Sequence, residues 1–97
     1  MIIELLYVED CPHWRTAGER LATVAAERGL TVVHRPISSL ADADVAGFHG
    51  SPTILIDGRD PFASGDRPTG LACRTYQTPE GPSGSPTVTQ LRAALDA

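Results

Sequence analysis

Two cysteines, three histidines and a proline placed directly before a β-branched run are the residues of this chain with chemistry to offer. Cys11-Pro12-His13-Trp14 follows an apolar segment and opens an amphipathic one. Cys11 is therefore expected near a helix N-cap, with Pro12 at the first helical position, where a missing N–H costs nothing. There the thiol faces unpaired N–H groups, and the partial positive charge of a helix start lowers a cysteine pKa from its free value of about 8.5. The thiolate so favoured is the nucleophilic form. A protonated His13 adds to this effect, whereas Glu9 and Asp10 oppose ionisation through like charge. The second motif is Gly50-Ser51-Pro52-Thr53. A proline at the head of a strand either stays trans and merely avoids donating to the ladder, or is cis and imposes a tight bend; both readings stand at this point.

The elements that must position these groups follow from hydrophobic spacing. Met1 to Val8 reads as a mostly buried first strand. Trp14, Ala17, Leu21, Val24 and Ala25 recur every three to four residues and Gly29 supplies a stop, which predicts an amphipathic helix. Leu30 to Ile37 is a second strand, parallel to the first because the helix between them is long enough for a crossover. Ser38 and Ser39 cap a short helix that ends at Gly47 or Gly50. Thr53 to Ile56 is a third strand, and Asp57-Gly58 marks a hairpin whose return strand is expected at about Ala72 to Gln77 after a long loop. Ser85-Pro86 starts a closing helix with Val88, Leu91, Ala94 and Leu95 on one face. The expected architecture is a single α/β domain over residues 1–97, in the order βαβαββα, with a mixed four-stranded sheet flanked by helices.

Composition narrows the function classes. Ninety-seven residues make one domain, and eight Arg with no Lys against twelve Asp plus Glu give a net charge of −4. Nucleic acid and anionic membranes are thus repelled overall. The longest apolar run, Leu5 to Val8, is far short of a membrane span, and Glu4, Glu9 and Asp10 fall where a signal peptide is basic or apolar, so a cytoplasmic protein is expected. No nucleotide or flavin signature points to a cofactor. Neither a Cys-x-x-Cys nor a His-x-x-x-His pair is present, which argues against structural zinc.

Cys11 at the strand-to-helix turn and Pro52 before the third strand resemble the thioredoxin and glutaredoxin superfamily, and the element order extends that resemblance over nearly the whole chain. Members carry Cys-x-x-Cys or Cys-x-x-Ser at the first place and a cis-proline at the second. Cys-Pro-His also begins the active site of the periplasmic disulfide oxidases, a likeness confined to this tripeptide. Trp14 stands where a dithiol member has its resolving cysteine. The resemblance implies that Pro52 is cis and lies against Cys11, and that the Ser51 backbone offers strand-like hydrogen bonds to a bound peptide or thiol. Pro12, Trp14, Ser51, Pro52 and Thr53 then border the substrate.

The mechanism this implies is attack by the Cys11 thiolate on a disulfide of a protein or low-molecular-weight thiol, giving a mixed disulfide on Cys11. An external thiol, as in monothiol glutaredoxins, or Cys73 then releases it. With the return strand at Ala72 to Gln77, Cys73 falls about 10 Å or more from Cys11 at about 3.4 Å per residue, which disfavours a disulfide, while the irregular segment from Gly58 to Gly70 leaves the register and that option open. An inert strand cysteine is the competing reading for Cys73. Each remaining feature has a plain counterpart. His13 reads as an exposed helix-start residue as readily as a proton shuttle, Trp14 as a packing residue or a lid over the thiol, His34 and His49 as ordinary histidines, and Asp42 and Asp44 as solvated helix face. Two other functions compete: soft-metal binding, of mercury or copper, by the Cys11 and Cys73 thiolates, and a non-catalytic module that docks a partner on the Ser51-Pro52 edge.

Overall fold

The computed structural model describes residues 1–63, 71 and 73–96, with residues 44–46 described by their backbone alone. Strand β1, Ile3–Tyr7, is the middle of a three-stranded sheet. It runs parallel to β2, Val32–Pro36, and antiparallel to β3, Thr53–Ile56. Being central explains its almost unbroken apolar sequence, because successive side chains go to opposite faces and both faces are covered. Ile3, Leu5 and Tyr7 join one apolar cluster with Ala17, Leu21, Val24, Ile54, Leu91 and Leu95. Leu6 joins a second with Ile37, Ala43, Phe48 and Leu55. Adjacent residues Ile54 and Leu55 of β3 divide between the two clusters in the same way. Full burial of each such Leu or Ile contributes about 1.5–3 kcal/mol.

Helix α1, Trp14–Glu27, buries Ala17, Leu21, Val24 and Ala25 on the first of these faces and ends before Gly29, whose φ of +67° continues the chain where a side chain is disfavoured. Helix α2, Leu40–Ala46, is capped by Ser39, whose hydroxyl accepts the Asp42 N–H at 3.1 Å, and closes at Gly47 in the left-handed conformation. Between β4, Tyr76–Thr78, and helix α3, Val88–Asp96, lies one further strand, β5, Gly81–Ser83. Helices α1 and α3 pack side by side, with Arg28 bound to Asp96 and Arg92 to Glu27 at the solvent edge. Among the described residues no helix is long and apolar enough to cross a membrane.

The expected four-stranded sheet in the order βαβαββα is not what forms. Among the described residues the order is βαβαβββα, with one mixed sheet β2-β1-β3 and a separate antiparallel pair β4-β5. The Asp57-Gly58 turn does form, with φ of 52° and 81° at its two central residues, as a tight hairpin turn requires. Only the Ile56 and Arg59 pair follows it. Pro61 has no N–H to extend the ladder, and the Asp60 side chain accepts the Phe62 N–H at 2.8 Å, turning the chain away. Of the return strand expected at Ala72 to Gln77, Tyr76 and Gln77 are strand residues, but they pair with Ser83 and Pro82 rather than with β3. Ala72 lies outside the described residues, as does the loop over 64–70. Gly81–Ser83 escapes a reading of the sequence because Gly-Pro-Ser carries no strand former.

Candidate active site

The C-terminal end of β1 and the turn into α1 carry Cys11. The helix begins later than expected: His13 is its N-cap and Trp14 its first residue, so Cys11 and Pro12 belong to the preceding turn, which the Cys11 N–H closes onto the Val8 carbonyl at 3.0 Å. Cys11 nevertheless meets the helix start, because the backbone N–H groups of His13 and Trp14 favour its thiolate. Trp14 fixes this turn from the other side. Its ring stacks on Tyr7 with centroids 4.1 Å apart, and its indole N–H donates to the Glu9 carbonyl at 3.4 Å.

The Ser51–Pro52 bond is cis, and both residues are buried. Thr53 holds the approach to this bend: its hydroxyl donates to the Gly50 carbonyl and accepts the His49 N–H at 3.0 Å. Tyr76 holds the far side by donating its hydroxyl to the Pro52 carbonyl. Cys11 lies against this bend, its thiol 3.5 Å from the Ser51 carbonyl oxygen. Ser51 also acts through its side chain, a role with no signature in the sequence. The Val8 N–H donates to the Ser51 hydroxyl oxygen at 3.0 Å, and the same hydroxyl favours the Cys11 thiolate.

Cys73 does not lie 10 Å away. Its sulfur is 3.4 Å from that of Cys11 and donates to it. The separation expected from an extended β3 hairpin fails because Cys73 pairs not with β3 but with Ser51, just ahead of β3, in a single parallel bridge. In that bridge the Arg74 N–H donates to the Ser51 carbonyl at 2.8 Å. Arg74 anchors the segment. Its guanidinium is wholly buried, pairs with the Asp60 carboxylate, donates to the Phe62 carbonyl at 2.8 Å and lies 4.4 Å over the Tyr76 ring. Nothing in the spacing of Asp60, Arg74 and Tyr76 announces this arrangement.

The two sulfurs differ in surroundings. Cys11 is 5% exposed and sits beneath Cys73, yet belongs to neither apolar cluster; Cys73 is exposed. Burial pushes the Cys11 thiol up, but the Ser51 hydroxyl, the His13 N–H, the Cys73 thiol and the Trp14 N–H together outweigh it and bring Cys11 below the ordinary thiol range. Cys73 goes the other way, because it is the donor to Cys11 and would ionise beside a negative sulfur. Once Cys11 ionises, the remaining proton of the pair is shared between the sulfurs over 3.4 Å.

The other residues singled out by type and spacing divide. Pro12 is exposed at the lip of the turn. His13 offers its backbone to Cys11, while its ring packs against Gly84, where an added Cβ would come within 2.2 Å of the ring. His34 lies edge-on to Tyr7 and Trp14, and His49 is half-buried in the turn before Pro52. Of the nitrogen and sulfur donors Cys11, His13, His49 and Cys73, the two cysteines are the pair brought into contact; among the described residues no group of three or more His, Cys, Asp or Glu gathers. An open groove of about 530 Å³, lined by Val8, Glu9, Asp10, Ile37 and Leu71, borders the turn that carries Cys11. No protein-family model, curated protein or solved structure compared with the chain matches it, so the chemistry is read from the two sulfurs and the groups around them.

Proposed function

We propose that the protein is a thiol–disulfide oxidoreductase or thiol-transfer protein in which Cys11 and Cys73 cycle between a dithiol and a disulfide. The observation that carries this reading is the 3.4 Å separation of the two sulfurs against the cis Ser51–Pro52 bend. A disulfide spans about 2.05 Å, so bond formation asks for little more than an ångström of approach. Cys11 supplies the stabilised thiolate, and Cys73 takes the part that Trp14 leaves vacant in the Cys-Pro-His-Trp motif. A thiol at the end of the first strand facing a cis-proline supports the kinship with the thioredoxin and glutaredoxin superfamily at the level of the site. The substrate is a protein or low-molecular-weight thiol or disulfide, and the setting is the cytoplasm, where a cysteine pair is more often reactive than a permanent staple. The test is equilibration of the protein with dithiothreitol or glutathione redox buffers. A reversible loss of both free thiols, with mass spectrometry placing the bond between Cys11 and Cys73, supports the assignment; two thiols that stay free in every buffer overturn it.

The same sulfur pair favours a second reading, capture of a soft metal ion such as mercury(II) or copper(I) between two thiolates. At metal–sulfur distances of about 2.3 Å, as for zinc, linear coordination needs the sulfurs about 4.6 Å apart, an opening comparable to the closure a disulfide requires. Binding that disappears in both Cys11→Ser and Cys73→Ser supports this reading, and binding that survives either change removes it.

A further inference from the structure

The two sulfurs are unequal toward an incoming partner. In thiol–disulfide exchange the attacking thiolate approaches along the line of the sulfur–sulfur bond, from the side opposite the leaving sulfur, so access decides which sulfur is attacked. To reach Cys11 in this manner an attacker must come from the side away from Cys73. That side belongs to the protein, where Ser51 and the His13 and Trp14 N–H groups surround a residue only 5% exposed. To reach Cys73 it comes from solvent, because Cys73 is exposed and its sulfur has Cys11 on its inner side. We infer that substrate thiols bond to Cys73, and that Cys11, beneath it, is the leaving sulfur. This rests on the exchange reading above and reverses the assignment suggested by the motif, in which Cys11 carries the substrate.

The step balances without any further reactant. A substrate thiolate attacks Cys73 Sγ of the Cys11–Cys73 disulfide; the substrate–Cys73 bond forms, the Cys11–Cys73 bond breaks, and the electron pair goes to Cys11. There the Ser51 hydroxyl and the two backbone N–H groups that favour the Cys11 thiolate receive the negative charge. A second thiol of the same class then attacks the substrate sulfur of the mixed disulfide. It leaves as a substrate disulfide, Cys73 is released as a thiolate, and the protons lost by the two substrate thiols are taken up by Cys73 and Cys11. Two thiols are oxidised and one protein disulfide is reduced.

Trypsin separates the two cysteines, with Cys11 in residues 1–15 and Cys73 in residues 60–74, since Arg67 precedes proline. The wild-type protein is oxidised with diamide, and the linkage of these two peptides is verified. It is then mixed briefly with a limited amount of cysteamine, quenched in acid, blocked with N-ethylmaleimide and digested. Cysteamine is expected on residues 60–74 in about tenfold or greater excess over residues 1–15. Equal labelling, or an excess on residues 1–15, overturns the assignment while leaving the exchange reading intact. Absence of the diamide-induced linkage overturns both.

Discussion

Asp60 and Arg74 form an ion pair whose side chains are 3% and 0% exposed, and this pair fixes the segment that brings Cys73 to Cys11. Its two ends are tied differently. Asp60 follows the tight Asp57-Gly58 turn and accepts the Phe62 N–H, so its position is set locally by the chain after β3. Arg74 is set by that carboxylate, by the Phe62 carbonyl and by the Tyr76 ring. The residue next to the exposed cysteine is thus among the most buried in the protein.

Removing one member of such a pair leaves an uncompensated charge in the interior, which costs about 3–5 kcal/mol. Asp60→Asn is therefore expected to lose about that much in urea unfolding, a large part of the stability of a domain this size. Replacing both partners, as in Asp60→Leu with Arg74→Met, removes the charge as well and is expected to recover most of the loss. A single Asp60→Asn change within about 1 kcal/mol of wild type would show that water reaches the pair.

The opposed shifts of the two thiols set a pH signature for the reduced protein. Cys11 is depressed in the folded state, so its contribution is complete above the unfolded thiol value of about 8.5 and is lost as pH falls through the folded value. Cys73 is raised, so above about 8.5 the unfolded chain releases that proton first and stability declines. The difference in unfolding free energy between reduced wild type and the Cys11→Ser/Cys73→Ser variant should peak near the ordinary thiol value and fall on either side. A flat difference from about pH 6 to 10 would contradict the shared proton.

The Ser51 hydroxyl accepts the Val8 N–H and favours the Cys11 thiolate. Ser51→Ala is expected to raise the pKa of Cys11, read from thiolate absorbance against pH in the reduced protein. It also strands the Val8 N–H, which costs about 1–3 kcal/mol. Ser51→Thr keeps the hydroxyl and should restore the titration of Cys11 more fully than it restores stability, because an extra methyl enters a fully buried position. An unchanged titration in Ser51→Ala would mean that the two N–H groups and the Cys73 thiol hold the thiolate without it.

Much of the scaffold is legible in the sequence because it is periodic. The apolar run of β1, the three-to-four spacing of Leu21, Val24 and Ala25, the Ser39 cap and the faces of α3 follow directly from local sequence. Cys11 and Pro52 are legible because a thiol and a proline at element boundaries are unusual in themselves. The position of Cys73 is not. It depends on contacts between residues far apart in sequence, Arg74 with Ser51 and Asp60 and Tyr76 with Pro52, and none of these leaves a spacing to read. A hairpin extended by simple alternation places Cys73 against β3, whereas Pro61 and the Asp60 side chain end that ladder after one pair.

Gly84 bears on the site through His13. A Cβ built at Gly84 would fall 2.2 Å from His13 Cγ and 2.7 Å from His13 Cβ, too close for the ring to remain where it is. His13 is the N-cap of α1, and its backbone N–H is one of the donors to Cys11. Two consequences can be separated. Gly84→Ala should destabilise by about 1–3 kcal/mol through overpacking; because the new Cβ also meets His13 Cβ, which alanine keeps, most of that loss should vanish only in a His13→Gly background, giving a coupling of about 0.5–3 kcal/mol in a double-mutant cycle. The titration of Cys11 should shift in Gly84→Ala if the displaced ring drags the N-cap backbone with it, and stay unchanged in His13→Ala, which keeps the N–H. Additive stabilities would mean that the ring and Gly84 do not share the same space, and a Cys11 titration moved as far by His13→Ala as by Gly84→Ala would transfer the role from the His13 backbone to its imidazole.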